Sequence, residues 1–325
     1  MMVVKNMIKL IFNGYYRSGT TMMFKIMKKS NPEMSCFLEP LHPNLLSEIT
    51  KNTATSLHKF YPWSDYNKKD FKSISKNYKL IHGKLKKTGD DIIPTNFQEV
   101  KPLFDLFHNF KKNVILQPNR CHFILGDVAN NYNCKFVHII RNPINVWLSQ
   151  TLTPPVKNRN LLRKIYRFAT KFMGKYGKNY FLMNYLPKNK RVGKFFFGDS
   201  DYKLIAKKFN RPINEKDQLS KMLTIWTYFN YYAFTQVNNT NGMIVFYEDI
   251  VLNPKKWFEK ISNFSGVKLD KKYSKTILPK IDCDENLRQN FVKKLEKLEL
   301  IDMVKKFYPP EKWFGNLKNE IKNNK

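Results

Sequence analysis

The segment from Ile11 to Phe24 constrains this chain more than any other. An apolar run, Ile11-Phe12-Asn13-Gly14, enters Arg17-Ser18-Gly19-Thr20-Thr21 and then an amphipathic helical pattern. A strand that turns through a glycine-containing loop into a helix builds an anion cradle. Gly19 lets the backbone turn tightly, and the amides and hydroxyls from Ser18 to Thr21 can face an anion at the helix N-terminus. Arg17 adds a guanidinium that stays protonated and can grip two anionic oxygens at once. The G-x-x-x-x-G-K-[ST] signature is absent, which argues against a lysine on the β- and γ-phosphates of ATP or GTP. The loop therefore points to another phosphorylated donor, the alternative being a helix N-cap and nothing more.

A second segment repeats the logic. Lys135-Phe136-Val137-His138-Ile139-Ile140 reads as a strand, and Arg141-Asn142-Pro143 follows it directly, with Ser149 further on. Pro143 suits the first turn of a helix, which puts Arg141 at the strand's carboxyl end and Ser149 about two turns along. An Arg and a hydroxyl so placed can hold one phosphate between them. The plainer alternative is a strand–helix junction with a solvated Arg and a helical Ser.

Gly14 to Thr21 resembles the 5′-phosphosulfate loop of sulfotransferases that use 3′-phosphoadenosine 5′-phosphosulfate (PAPS), in the Arg-Ser-Gly-Thr-Thr form of carbohydrate-modifying and many prokaryotic members. Cytosolic small-molecule members usually carry Lys at the place of Arg17. Arg141 to Ser149 resembles the 3′-phosphate motif of the same family. Trp226 to Leu252, with Asn253-Pro254 beyond it, is similar to the family's late helix and its strand ending in Tyr-Glu-Asp, where Trp226 and Phe229 read as core and Tyr247, Glu248 and Asp249 as braces of the strand end. The resemblance covers most of Ile8 to Lys268. It implies an α/β, P-loop-type three-layer fold with a central parallel sheet flanked by helices. It also implies a sulfotransferase with PAPS as donor, adenosine 3′,5′-bisphosphate (PAP) as product and no metal. Arg17, Ser18, Gly19, Thr20, Thr21, Arg141 and Ser149 would bind the donor, and the acceptor would be a hydroxyl or amine, first of all on a carbohydrate or glycan. A kinase-like phosphotransferase or a non-catalytic nucleotide-binding protein is the competing reading, and dependence on Mg²⁺ and ATP separates them.

Glu39-Pro40-Leu41, after a strand pattern from Met34 to Leu38, looks like the Glu-Pro-Leu element of carbohydrate sulfotransferases. Glu39 is accordingly the expected general base, with Arg17 as its catalytic partner on the transferred group. His42 is the rival base, because its ordinary pKa suits the task, although it also fits a turn role beside Pro43. The chain departs from the family at Gln117, where many relatives have Lys; Arg120 and Lys84 are the candidate replacements. The C-terminal Arg-Lys-Gly motif of cytosolic members is not visible, and Asn286-Leu287-Arg288 is a weak substitute.

Composition fits this frame. The chain has 325 residues, 42% of them hydrophobic, which is enough for one large α/β domain. Short, nearly continuous apolar runs such as Val114-Ile115-Leu116 and Met243 to Phe246 suit parallel strands buried on both faces. The expected organisation is one domain over 1–315, with a helical, basic and aromatic insertion at about 151–218 that shapes the acceptor site or caps the sheet, and a frayed basic tail over 316–325. In that insertion Arg159, Arg163, Tyr166, Arg167, Phe172, Tyr176 and Tyr180 suit stacking on sugars and anionic groups. Lys and Arg number 58 against 26 Asp and Glu, a net charge of +32 that can steer an anionic donor. No zinc spacing, Arg-rich repeat or RNA-recognition signature accompanies it, so no nucleic acid is expected as a partner. Cys36, Cys121, Cys134 and Cys283 are scattered, without metal-ligand spacing or a disulfide framework. Reduced thiols, the lack of a transmembrane-length run and an N-terminal segment that reads as the first strand make a cytoplasmic location the expectation.

Overall fold

A computed structural model of the chain describes residues 7–51, 63–85, 92–152, 164, 168, 171–172, 174, 181–185, 199–211, 217–277 and 285–309. The chain divides into two compact units, one made of Met1–Ile140 with Tyr232–Pro279 and the other of Arg141–Tyr231 with Lys280–Lys325. The tail over 316–325 lies outside the described residues, as does most of the insertion at 151–218, including Arg159, Arg163, Tyr166, Arg167, Tyr176 and Tyr180.

The first unit is an α/β layer structure on a five-stranded parallel sheet, as the apolar runs predict. The strands are β1 (Ile8–Gly14), β2 (Ser35–Leu38), β3 (Val114–Gln117), β4 (Lys135–Ile140) and β5 (Gly242–Phe246), in the order β2-β3-β1-β4-β5. This order creates a switch point. From β1 the chain returns in β2, beyond β3; from β3 it returns in β4, beyond β1. Right-handed crossovers therefore leave the adjacent β1 and β3 toward opposite faces, the arrangement in which open α/β sheets place a ligand crevice outside the carboxyl ends of the strands.

Ile8, Leu10, Ile11, Phe12, Val114, Ile115, Leu116, Phe136 and Val137 are fully buried, as strands covered on both faces require. Over β2 the packing is aromatic. Phe37 touches Tyr66, Phe71, Phe107 and Phe110 at centroid distances of 4.9–5.6 Å. Each such pair contributes roughly 0.5–1.5 kcal/mol beyond its buried area. β2 is an edge strand, and its Cys36 amide is capped by the buried Asp65 carboxylate at 2.7 Å. Lys28 and Lys68 neutralise that carboxylate at 3.2 and 2.6 Å, so the sheet edge offers no bare ladder there. Burial pushes the thiols of Cys36 and Cys134 up to about 12 and raises that of Cys121 further, which leaves all three unreactive near neutral pH.

β5 ends at Phe246, and Tyr247–Leu252 is a helix, so Tyr247, Glu248 and Asp249 open that helix where the sequence pattern had them at a strand end. Glu248 and Asp249 in the first turn suit the positive end of its dipole.

In the second unit, Pro143–Leu152 and Glu285–Lys297 pack as helices, and Gln218–Thr235 runs from this unit into the first. Trp226 and Phe229 are fully buried, in line with the sequence reading; the Trp226 ring meets Phe307 and Tyr308. Asp217 ties two helices together, accepting from Ser220 and from Lys294 at 2.8 Å, contacts that outweigh burial and hold its carboxyl below the usual range.

Candidate functional site

The loop after β1 is shaped by close approach. Gly14 lies opposite Ile139 of β4, and a Cβ there would stand 2.5 Å from Ile139 Cγ2 and 2.7 Å from Thr20 Cγ2. Gly19 adopts φ 94°, and a Cβ on it would stand 2.7 Å from the Tyr247 ring. Only glycine meets both demands, and Tyr247 is thus the wall against which the loop is set.

Helix α1 (Thr20–Ser30) begins at once, with no side-chain cap, so its first-turn amides have no acceptor within the helix. Thr20 is buried and Thr21 half-buried. Ser18 is fully buried, and its Oγ makes no hydrogen bond among the described residues. An unsatisfied buried hydroxyl beside uncapped amides suits an anionic oxygen, such as one of a phosphosulfate group.

Among the non-glycine residues with left-handed backbone, three stand just beyond three neighbouring strands: Arg17 (φ 65°) after β1, Glu39 (φ 45°) after β2 and Asn119 (φ 58°) after β3. Such backbone costs of order 1–3 kcal/mol per residue and persists where its surroundings over-determine it. At Glu39 the clamps are explicit. Tyr66 donates its hydroxyl to the Leu38 carbonyl at 3.1 Å, and Tyr78 donates to the Pro40 carbonyl at 3.2 Å. The Glu39 amide donates to Gln117 O at 2.7 Å, and the His42 amide donates to Glu39 O at 2.8 Å. Burial raises both phenols far above their ordinary range, so they stay protonated as donors.

The Glu39 carboxylate is itself held. Asn119 Nδ2 donates to Oε1 at 3.0 Å and Arg120 donates to Oε2 at 3.1 Å; the Glu39 side chain is 20% exposed and that of Arg120 5%. The Arg120 guanidinium also lies 5.4 Å from the centre of the Tyr16 ring. Gln117 is buried and donates to Asn119 Oδ1, which fixes the amide orientation of Asn119. Of the two candidate replacements for a cation at Gln117, Arg120 is buried and paired with Glu39, while Lys84 is an exposed residue at the end of the helix Ser75–Lys84.

His42 is committed to the turn. Its Nδ1 accepts from the Asn44 amide at 3.1 Å, and its carbonyl accepts from His82 Nε2 at 3.0 Å.

Beneath this edge lies a buried polar chain that the sequence reading did not single out. Asn13 Nδ2 donates to His122 Nδ1 at 3.3 Å and to His138 Nδ1 at 3.1 Å, while its Oδ1 accepts from the Cys121 amide at 3.4 Å. Those contacts leave the His122 proton on Nε2, which donates to the Asn119 carbonyl at 3.0 Å. The chain ends at the strained residue that orients Glu39. The available signal was an Asn and a His inside otherwise apolar strands, and the Pro118-Asn119 turn pair.

Burial, with His138 adding to it, holds His122 well below its ordinary value. Unfolding returns it to about 6.5, so the unfolded chain takes up the proton first as the pH falls. Stability from this group is full above about pH 6.5 and declines below it, by up to ~1.4 kcal/mol per pH unit, until the depressed folded value is reached. Urea unfolding at pH 7.5 and 5.5 is expected to show that loss, and His122→Gln to flatten it; an unchanged slope in the variant removes His122 as the cause.

Arg141 and Ser149 belong to the second unit. Arg141 follows β4 directly and is 7% exposed, and its carbonyl accepts from Trp226 Nε1 at 3.1 Å. Asn142 Oδ1 accepts from the Ile144 amide at 2.9 Å and Pro143 opens the helix, so the strand–Arg–Pro–helix arrangement matches its prediction. Ser149 is half-buried within that helix. Arg288, also buried, pairs with Glu285 at 2.8 Å. Among the described residues, no group of three or more His, Cys, Asp or Glu side chains could hold a metal ion, and no helix is long and apolar enough to cross a membrane.

The profile of the sulfotransferase domain matches residues 8–312. An uncharacterized protein of Archaeoglobus fulgidus is 46% identical over 317 residues, spanning 95% of this chain and 100% of that protein. Among solved structures, a sulfotransferase from Alicyclobacillus acidocaldarius is 12% identical, with 91% of this chain and 96% of that one covered and a TM-score of 0.38. The sulfotransferase domain from the curacin biosynthetic pathway is 11% identical, with 91% and 98% covered and a TM-score of 0.39. By the near-complete match of the family profile, this chain belongs to the sulfotransferase domain family.

Proposed function

We propose that this sulfotransferase takes its sulfuryl group from PAPS and delivers it to a hydroxyl of a carbohydrate or glycan, with Glu39 as general base. The observation that carries the reading is the pairing of an anion-ready loop with a clamped carboxylate on the same sheet edge. Ser18 Oγ and the uncapped amides of α1 stand at the end of β1, and Glu39 at the end of β2. Arg17, Ser18, Gly19, Thr20 and Thr21 are assigned the 5′-phosphosulfate, and Arg141 and Ser149 the 3′-phosphate. Glu39 takes the proton from the acceptor hydroxyl as its oxygen bonds to sulfur. The sulfur–oxygen bond to the 5′-phosphate breaks, and PAP leaves with that electron pair. Arg17 and the loop donors hold the sulfuryl oxygens through the displacement, so positioning and electrostatics supply most of the catalysis. The carbohydrate preference is supported by the Glu39-Pro40-Leu41 element and the Arg form of the loop.

Two measurements test this. Transfer of labelled sulfate from PAPS to a panel of sugars, lipids and phenols, scored by mass, is expected to yield a sulfated sugar without added Mg²⁺ or ATP. Phosphorylated product formed only with Mg²⁺ and ATP overturns the reading. By calorimetry, PAP is expected to bind about 10–150-fold more tightly than adenosine 5′-monophosphate, because one charge-assisted contact contributes roughly 1.5–3 kcal/mol. Equal affinities sink the assignment of Arg141 and Ser149.

A further inference from the structure

Phe168 and Phe172 are 61% and 66% exposed, and their rings lie together at 4.4 Å. Both are in helical conformation one turn apart, with exposed Lys164 and Lys171 beside them and Lys171 Nζ 5.7 Å from the centre of the Phe172 ring. Two adjacent phenyl rings exposed to water are costly, and neither carries a polar atom that would justify the position.

The surrounding sequence extends the pattern. Between Leu161 and Tyr176, apolar residues recur at helical spacing as Leu161, Ile165, Phe168, Phe172 and Tyr176, while cations recur at the same period as Arg163, Lys164, Arg167, Lys171 and Lys175. No Asp or Glu occurs anywhere from Val128 to Gly198. An apolar stripe with an unbroken cationic stripe is the signature of a segment that lies in a membrane interface: rings enter the acyl boundary, and lysine stems reach to the headgroups.

We propose that the segment around Lys164, Phe168, Lys171 and Phe172 docks this protein on the surface of a lipid bilayer rich in anionic headgroups. The charge selects an anionic surface, and the exposed phenyl pair selects a bilayer over a soluble polyanion, because only the bilayer offers the rings an apolar medium. Among the described residues no helix is long and apolar enough to cross a membrane. The proposal stands apart from the donor assignment, since it uses none of those residues.

The test is co-sedimentation of the full chain with vesicles of phosphatidylcholine alone and of equal phosphatidylcholine and phosphatidylglycerol. Binding is expected to the mixed vesicles only, and to weaken as salt shortens the Debye length. The double variant Phe168→Ser/Phe172→Ser is expected to bind at least tenfold more weakly. Lys164→Gln/Lys171→Gln is expected to bind about 25-fold more weakly, at about fivefold per cation. Unchanged PAP affinity and thermal midpoint show that either variant is folded. Failure of the unmodified chain to sediment with mixed vesicles at low salt overturns the proposal without recourse to variants. So does retained binding by the folded phenylalanine variant, or retention on a heparin column without vesicle binding, which identifies a polyanion surface instead.

Discussion

Glu39→Gln is expected to lower turnover by roughly 10²–10⁴-fold while PAP affinity hardly changes, because the amide keeps the shape but cannot accept a proton. The structure sharpens the experiment. Oε1 of Glu39 accepts from Asn119 and Oε2 from Arg120, so the new amide keeps the first bond and turns a donor toward the guanidinium. Glu39→Asp is therefore the necessary companion. It retains a proton acceptor on a shorter arm and is expected to recover part of the lost rate. His42→Ala is the third arm. His42 is engaged through Nδ1 and its carbonyl in the turn, so its loss is expected to cost some stability and to leave most of the turnover. Near-wild-type turnover in Glu39→Gln together with an inactive His42→Ala would falsify the assignment in favour of His42. Activity in both variants means an acceptor that needs no protein base, such as a phenolate or free amine.

What the sequence made legible was the frame. Short, nearly continuous apolar runs of three to five residues marked β1, β3, β4 and β5 because buried parallel strands need no alternation, and the Gly-containing loop and the Arg-Pro junction announced two strand–helix transitions. Glu39 could be named, since a carboxylate followed by Pro at a strand end stands out. Its surroundings could not. Tyr66 and Tyr78 lie 27 and 39 positions along the chain from Glu39, and Asn119 and Arg120 lie 80 and 81. Only the strand order, which inserts β3 between β2 and β1, brings these groups to one edge. The left-handed backbone at Arg17, Glu39 and Asn119 was equally hidden, because local propensity argues against it in Arg and Glu and tertiary clamps impose it. Tyr247 illustrates the same limit. As a residue near a strand end it reads as a brace, yet its ring is what requires glycine at position 19.

Arg17 carries the second large effect, and its backbone allows function and stability to be read separately. Arg17→Ala is expected to weaken PAPS binding by about 10–150-fold, the worth of a charge-assisted contact of roughly 1.5–3 kcal/mol. Turnover should fall by about 10²–10³ as well, because the guanidinium is assigned to oxygens whose charge develops during transfer. Arg17→Lys restores a point charge without the two-pronged grip and is expected to fall between the two. Arg17→Gly removes the same side chain as Arg17→Ala but accepts φ 65° without strain. The Gly variant should therefore be more stable than the Ala variant by roughly 1 kcal/mol, and equally inactive. Comparing these two cancels whatever contacts the Arg17 side chain makes, since neither variant has them. Equal unfolding midpoints for Gly and Ala would show that the loop carries no strain at this residue. Undiminished PAPS affinity and turnover in both would remove Arg17 from the donor site and leave Ser18 and the amides of α1 as its anion ligands.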